Sequence, residues 1–373
     1  MSNSISRRNL LRGFGAATGL AVGGGLLAAC GGSSKSPGGS SGGSLAYKTH
    51  DEVVAAAQKE GALSVVTTFT EPSYTAFKAD LQKLYPFMNV SFTEGTGEDA
   101  TRVMLELQSG QNKADSIYLD NAVKFNDYLP FCSDLDLAAL AKAGVLSIPA
   151  KLIDKDHPDI MSAGSGVACL VINPKLLPPD QAPKTWEDLL QPQWKGKFLL
   201  DVKPSGFASL VPAWGHDKVI DFAKQLNAQK PVYVRGDTAS LTQLAAGEYA
   251  LKPFANYHSA WRIQQKQPDN IQMLIPEPVP VRVTQIELIR KGCDHPASAL
   301  LYHEYLASDA AQKIIDDNEP RQSSIFVKDS QLGQLIGTKQ ASVVDFAGYD
   351  ELATWSNDIV AAWGFPAPAG GSK

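Results

Sequence analysis

Tyr74, Phe77, Leu81 and Leu84 recur at spacings of three and four residues, which places them on one helical face and predicts an apolar stripe packed on a sheet. The β-rich run LSVVTTF precedes them, and Pro72 stands where the first turn of a helix tolerates proline. Residues 50–95 therefore predict helix, strand, helix, strand. ATRVMLELQSG continues as a helix, and SIYLD, residues 116–120, as a buried strand. This alternation implies an open α/β sheet. Ligands lie beyond the carboxyl ends of strands in such sheets. Thr68 and Glu71, Thr96 and Gly97, and Asp120 with Asn121 are accordingly expected around one crevice.

The first 44 residues follow a different pattern. SISRRNLLRG sets Arg7 and Arg8 ahead of an apolar stretch, residues 14–29, that falls short of the roughly 20 residues a spanning helix needs. It reads as an export signal. SRRNLL resembles the twin-arginine export consensus, and Leu27, Ala28, Ala29 and Cys30 resemble a bacterial lipobox, in which the cysteine receives lipid and becomes the mature N-terminus. Residues 1–29 are then the signal. Cys30 is the expected anchor on the outer face of the cytoplasmic membrane. GGSSKSPGGSSGGS, residues 31–44, is a flexible tether reaching on the order of 20 Å.

About 330 residues remain, which suits two lobes of ordinary domain size better than one core. A composition of 44% hydrophobic and 20% charged residues reads as globular, and a formal charge of -5 with no basic face argues against nucleic acid. Cys132, Cys169 and Cys293 allow at most one disulfide, with no pairing favoured. GTGEDA, residues 95–100, nearly satisfies a dinucleotide fingerprint, with Asp120 about 20 residues on. Glu98 and Asp99 would face the pyrophosphate where the site wants backbone donors, so a Gly-rich turn is the better reading. An exported oxidoreductase remains the alternative from another functional class. Nucleophile-elbow, zinc-protease and P-loop motifs are absent, no resident cofactor is expected, and the RGD of residues 235–237 reads as two surface charges.

SGVACLVINPKLLPPDQAPKTWEDLLQPQWKGKFLLDVKPSG, residues 165–206, resembles the middle of a bacterial extracellular solute-binding protein, family 1 type. The resemblance continues through LTQLAAGEYAL and through HPASALLYHEYLASDAAQKII, residues 295–315, and spans most of residues 50–325. It implies an α/β, two-lobed periplasmic-binding-protein fold of type II, with a crossing-strand hinge and the ligand cleft between lobes. Residues 45–166 with 290–325 would form the first lobe, and 167–289 with 326–373 the second. The hinge is expected at residues 167–173 outbound and 281–289 on the return. Such a receptor closes around its ligand and presents it to the permease of an ABC transporter, without making or breaking a bond.

PFANYHSAW, residues 253–261, looks like the place where ferric-ion-binding members carry two adjacent tyrosines, here Tyr257 and His258. With Glu71 and Asp120 in the places of the first-lobe ligands, the resemblance implies a Tyr, His, Glu, Asp set for ferric ion as the transported ligand. The same residues also allow plainer roles. Tyr257 packs a helix start, His258 bonds the backbone, and Glu71 favours a helix N-terminus by charge. A second ligand class is a small organic anion such as a phosphonate, bound by Ser205, Gly206, Thr238 and Ser240 at predicted helix starts, whose ordinary role is capping. A polyamine held by Glu71 and Asp120 over Tyr257 or Trp261 is the third. Trp186 and Trp194 read as second-lobe packing.

Overall fold

The computed structural model describes residues 46–95, 99–119 and 125–365. Cys30, Thr96, Gly97, Asp120 and Asn121, and the signal and tether, lie outside the described residues. The Thr49 hydroxyl accepts from the Glu52 N–H and opens helix α1 (His50–Glu60), and Gly61 closes it at φ 68°. Strand β1 (Ala62–Thr67), α2 (Glu71–Leu84), β2 (Asn89–Glu94), α3 (Asp99–Gln108) and β3 (Ser116–Tyr118) follow in the predicted alternation. Short helices α4 (Phe125–Tyr128) and α5 (Leu137–Lys142) lead to the 13-residue strand β4 (Ile160–Ile172).

Beyond β4 come β5 (Leu199–Asp201), α6 (Ser205–Ala208), α7 (Val211–Trp214), α8 (His216–Ala228), β6 (Val232–Val234) and α9 (Asp237–Ala245). Strand β7 (Leu251–Asn256), α10 (Tyr257–Lys266) and β8 (Gln272–Leu274) precede the 11-residue return strand β9 (Val279–Ile289). Helices α11 (Pro296–Leu306), α12 (Asp309–Asn318) and α13 (Gln331–Ile336), strand β10 (Ala341–Val344) and α14 (Gly348–Ala362) complete the described chain.

Two long strands join the lobes. Residues 160–167 of β4 pair antiparallel with β9, and from Ala168 onward β4 pairs with β7 and β8 instead. The return strand β9 pairs with β10 at its start and with β3 at its end. One sheet, ordered β2-β1-β3-β9-β4-β7, thus runs through both lobes as a crossing-strand hinge. A Cβ on Gly164 would meet the Gln322 carbonyl and the Thr284 hydroxyl at 2.8 Å each, so only glycine lets the two crossing strands and the 322 segment approach this closely. Gln285 sits opposite with φ 53°, a left-handed turn of a non-glycine residue that breaks the regular alternation of β9.

The apolar patterns divide into separate cores. Val53, Phe77, Leu81, Val90 and Leu300 belong to one buried cluster of the first lobe, with α11 and α12 packed on α1 and α2. Leu84 is 57% exposed at the last residue of α2, so the predicted stripe outlasts its partner surface by one turn. Trp186 and Trp194 are buried in a second-lobe cluster with Phe207, Phe222 and Phe254, the packing role expected of them. Cys132, Cys169 and Cys293 are all free thiols. No helix among the described residues is long and apolar enough to cross a membrane.

Candidate functional site

Strands β5 and β6 are parallel, and Phe198 beside β5 bridges Leu251 of β7 in the same sense. Their carboxyl ends therefore face one side, and each is followed by a helix whose N–H groups point back toward it. Asp201, Lys203, Ser205, Arg235, Gly236, Thr238, Asn256 and Ser259 from these three ends line a depression of about 720 Å³.

The carboxylates in this depression already have protein partners. Asp201 Oδ1 accepts from the backbone N–H of Lys203 at 2.9 Å and of Gly236 at 3.2 Å. Asp237 Oδ2 accepts from the backbone N–H and side-chain amide of Asn256, at 2.9 and 2.6 Å. Its Oδ1 lies 2.9 Å from the Lys252 ammonium, which is 0% exposed; the pair is at ion-pair distance without hydrogen-bond alignment. Asp237 is therefore not the surface charge that the RGD reading expected, because the register of β7 carries Lys252 inward beneath it. Arg235 does remain exposed. What the depression offers outward is mainly donors, including the Ser205 and Thr238 hydroxyls, which have no protein partner among the described residues.

The expected helix-start residues separate by role. Ser205 and Thr238 line the depression. A Cβ on Gly206 would meet the Phe254 carbonyl at 2.8 Å, so this glycine lets α6 lie against β7. Ser240 is buried and its hydroxyl donates to the carbonyls of Gly236 and Asp237 within its own helix.

Tyr257 and His258 begin α10, where the sequence pattern expected them. Tyr257 is 8% exposed, and burial raises its pKa while the Arg321 charge opposes that rise. His258 is pushed down to about 4, first by burial and then by Arg262, with Arg282 adding to the effect and Asp237 opposing it. Its imidazole is therefore neutral at ordinary pH. Arg282 donates to Asn256 Oδ1 at 3.0 Å, and the Arg321 guanidinium stands 5.7 Å from the centre of the Trp261 ring. On the first lobe, Thr68 Oγ1 donates to Gln285 Oε1 at 3.3 Å, tying β1 to the hinge, and Glu71 is exposed as the first residue of α2. No three His, Cys, Asp or Glu residues among those described form a group that would hold a metal.

Sequence reasoning missed Asp237, Asn256, Gln285, Arg282 and Arg321. Asn256 had a usable signal, since it adjoins Tyr257 at a strand end. Arg282 and Arg321 had none, being single arginines in otherwise ordinary segments.

The sequence model of the family described as bacterial extracellular solute-binding protein matches residues 131–350, more than half of the chain. No curated protein matches. Among solved structures, a ferric binding protein from Bordetella is similar over 82% of this chain and 99% of its own, with TM-score 0.66 and 15% identity. The Trichodesmium protein IdiA (FutA), in complex with iron and citrate, is similar over 81% and 98%, with TM-score 0.61 and 21% identity. The ferric binding protein from Campylobacter jejuni is similar over 82% and 100%, with TM-score 0.59 and 17% identity. At these identities the likeness carries the fold, which is that of two-lobed periplasmic binding proteins. Family match and crossing-strand architecture together exclude the oxidoreductase alternative: the chain belongs to the bacterial extracellular solute-binding proteins, receptors that bind a solute and are not enzymes.

Proposed function

We propose that the chain is a lipid-anchored extracytoplasmic receptor that delivers a small organic anion to the permease of an ABC transporter. The observation that carries the ligand class is the second-lobe depression, whose carboxylates are satisfied internally while the Ser205 and Thr238 hydroxyls have no protein partner among the described residues. Arg262 and Arg282 act on His258, and Arg321 on Tyr257. That ring of positive charge favours an anion and opposes a trivalent cation. Closure of the lobes about β4 and β9 would bring Thr68 and Glu71 toward the same ligand. A polyamine is disfavoured, because Arg321 already lies over Trp261.

Ferric ion is the second reading, favoured by the ferric binding proteins among the structural neighbours and by the neutral imidazole beside Tyr257. Its ligands would be Tyr257, His258 and Glu71, with Asp120 from outside the described residues. Calorimetry at neutral pH separates the two. Citrate or methylphosphonate alone should bind with Kd on the order of 1 μM or tighter. Ferric binding with a visible phenolate band that disappears in Tyr257→Phe, and no binding of metal-free anions, would sink the anion reading.

Membrane attachment through Cys30 rests on the lipobox and tether. A single acyl chain attaches only marginally, so the anchor must carry more than one. Cys30→Ala should move the exported protein into the soluble fraction. Persistence in the membrane pellet would mean that the signal segment is retained as the anchor.

A further inference from the structure

We propose that Arg321 is the residue that takes the negative charge of the cargo, and that the group it takes is a two-oxygen anion, a carboxylate or phosphonate, shared with the Tyr257 hydroxyl. This rests on the anion reading above and goes further by naming the residue and the chemistry.

Arg321 lies in the segment that leaves α12 for the second lobe. The segment is fixed at both sides of it. Glu319, 6% exposed, accepts from the Thr70 N–H at 2.6 Å and the Ser73 hydroxyl at 2.9 Å, which pins the segment to the start of α2. The Gln322 carbonyl accepts from the Ser165 N–H of β4 at 3.2 Å, which pins it to the hinge. Between these anchors Arg321 takes φ 63°, a left-handed conformation that a non-glycine residue keeps only where its surroundings impose it. The result is a side chain that starts on a first-lobe segment and reaches α10 of the second lobe, over Trp261 and beside Tyr257.

The guanidinium reaches that place without a matching carboxylate. None of the ion pairs among the described residues includes Arg321, and its Nε–H is buried with no protein acceptor. A buried donor left unpaired is unfavourable, and more so when it carries charge. The two Nη groups of the planar guanidinium fork present parallel donors that match the two oxygens of a carboxylate or phosphonate, a geometry that lysine lacks. Trp261 lies within cation–π range of the guanidinium and supports it there. Asn256, which lines the donor-rich depression, immediately precedes Tyr257, so the rest of such a solute would extend from Arg321 toward Ser205 and Thr238.

The test is calorimetric titration of the full exported chain with citrate and, separately, methylphosphonate, in wild type, Arg321→Gln and Arg321→Lys, together with the melting temperature of each ligand-free protein. Whichever anion binds wild type should bind Arg321→Gln about 100-fold more weakly, and Arg321→Lys about tenfold more weakly, since lysine restores charge but not the fork. Ligand-free Arg321→Gln should melt at or above the wild-type temperature, because an unpaired buried donor has been removed. A purely structural arginine would instead lower the melting temperature and leave affinity within threefold. If wild type binds and Arg321→Gln matches it within threefold, this inference falls and the anion reading stands. Should wild type bind neither anion, both fall together. If Arg321→Gln does not fold, a wild-type affinity in Arg321→Lys overturns the role of the fork.

Discussion

Asp237→Ala is expected to destabilise the protein by about 3–5 kcal/mol, because it leaves the Lys252 ammonium buried without its counter-charge. Lys252 is 0% exposed, and its side chain lies among β7, β5 and α9, where no other carboxylate among the described residues is paired with it. The substitution also removes the acceptor that holds both the backbone N–H and the side-chain amide of Asn256. Asn256 in turn accepts from Arg282 on the hinge strand, so the loss should spread to ligand affinity as well as stability. Urea denaturation followed by far-ultraviolet circular dichroism measures the first effect. Combining Asp237→Asn with Lys252→Met should recover most of the stability, since an apolar side chain of similar length removes the buried charge altogether. A loss below about 1 kcal/mol in Asp237→Ala, with no recovery to observe in the double variant, would show that Lys252 is solvated despite its position.

The second large effect is on the pH dependence of stability. Glu287, on β9, is fully buried, and burial pushes its pKa up from 4.5 to about 7 against the opposing hydrogen bonds of Ser116 and Tyr302. Ser116 Oγ donates to it at 2.8 Å and Tyr302 at 3.2 Å. The folded state therefore favours the protonated carboxyl. Stability linked to this group is complete below about pH 4.5 and is lost as pH rises through about 7, a loss on the order of 3 kcal/mol. Glu287→Gln keeps an amide in the same network and cannot ionise. Its stability relative to wild type should grow between pH 5 and pH 8. His303, linked to Glu287 through Ser116, is pushed down to about 3 by burial. It acts on the other side, because the unfolded imidazole takes up a proton below about 6.5 that the folded one refuses, so both proteins should weaken alike toward acid. Parallel stability curves for wild type and Glu287→Gln above pH 5 would mean that Glu287 ionises freely in the fold.

Much of the architecture was legible because it is written in local periodicity. Phe77 and Leu81 are spaced to share a helix face whatever lies beneath them, and both are fully buried on the first-lobe core. The same holds for the alternation of β1, α2, β2 and α3, whereas the crossing strand β4 was implied by the resemblance to the family. The two-lobed hinge came from the resemblance to the solute-binding family, which implies a strand that leaves one lobe and a strand that returns. Sequence alone also bounded the chemistry, through its acidic balance and its lack of zinc-protease, nucleophile-elbow and P-loop motifs.

Charge partnerships were not local, and here the sequence pattern ran out. Arg235 and Asp237 are two residues apart and look alike as solvated charges, yet one is exposed and the other is held by Lys252 and Asn256 across the register of β7. Ser205 and Ser240 both stand near helix starts, but only Ser205 faces the depression, because Ser240 lies one turn further round α9 and bonds back to its own helix. Arg321 meets Trp261 only because the chain crosses the hinge a third time after α12, and Gln285 adopts its left-handed turn only because two strands and the 322 segment crowd around Gly164. Periodicity tells each residue which side of its own element it occupies. The electrostatic character of the cleft depends on which elements are brought face to face, and that was decided by the packing of the crossing strands.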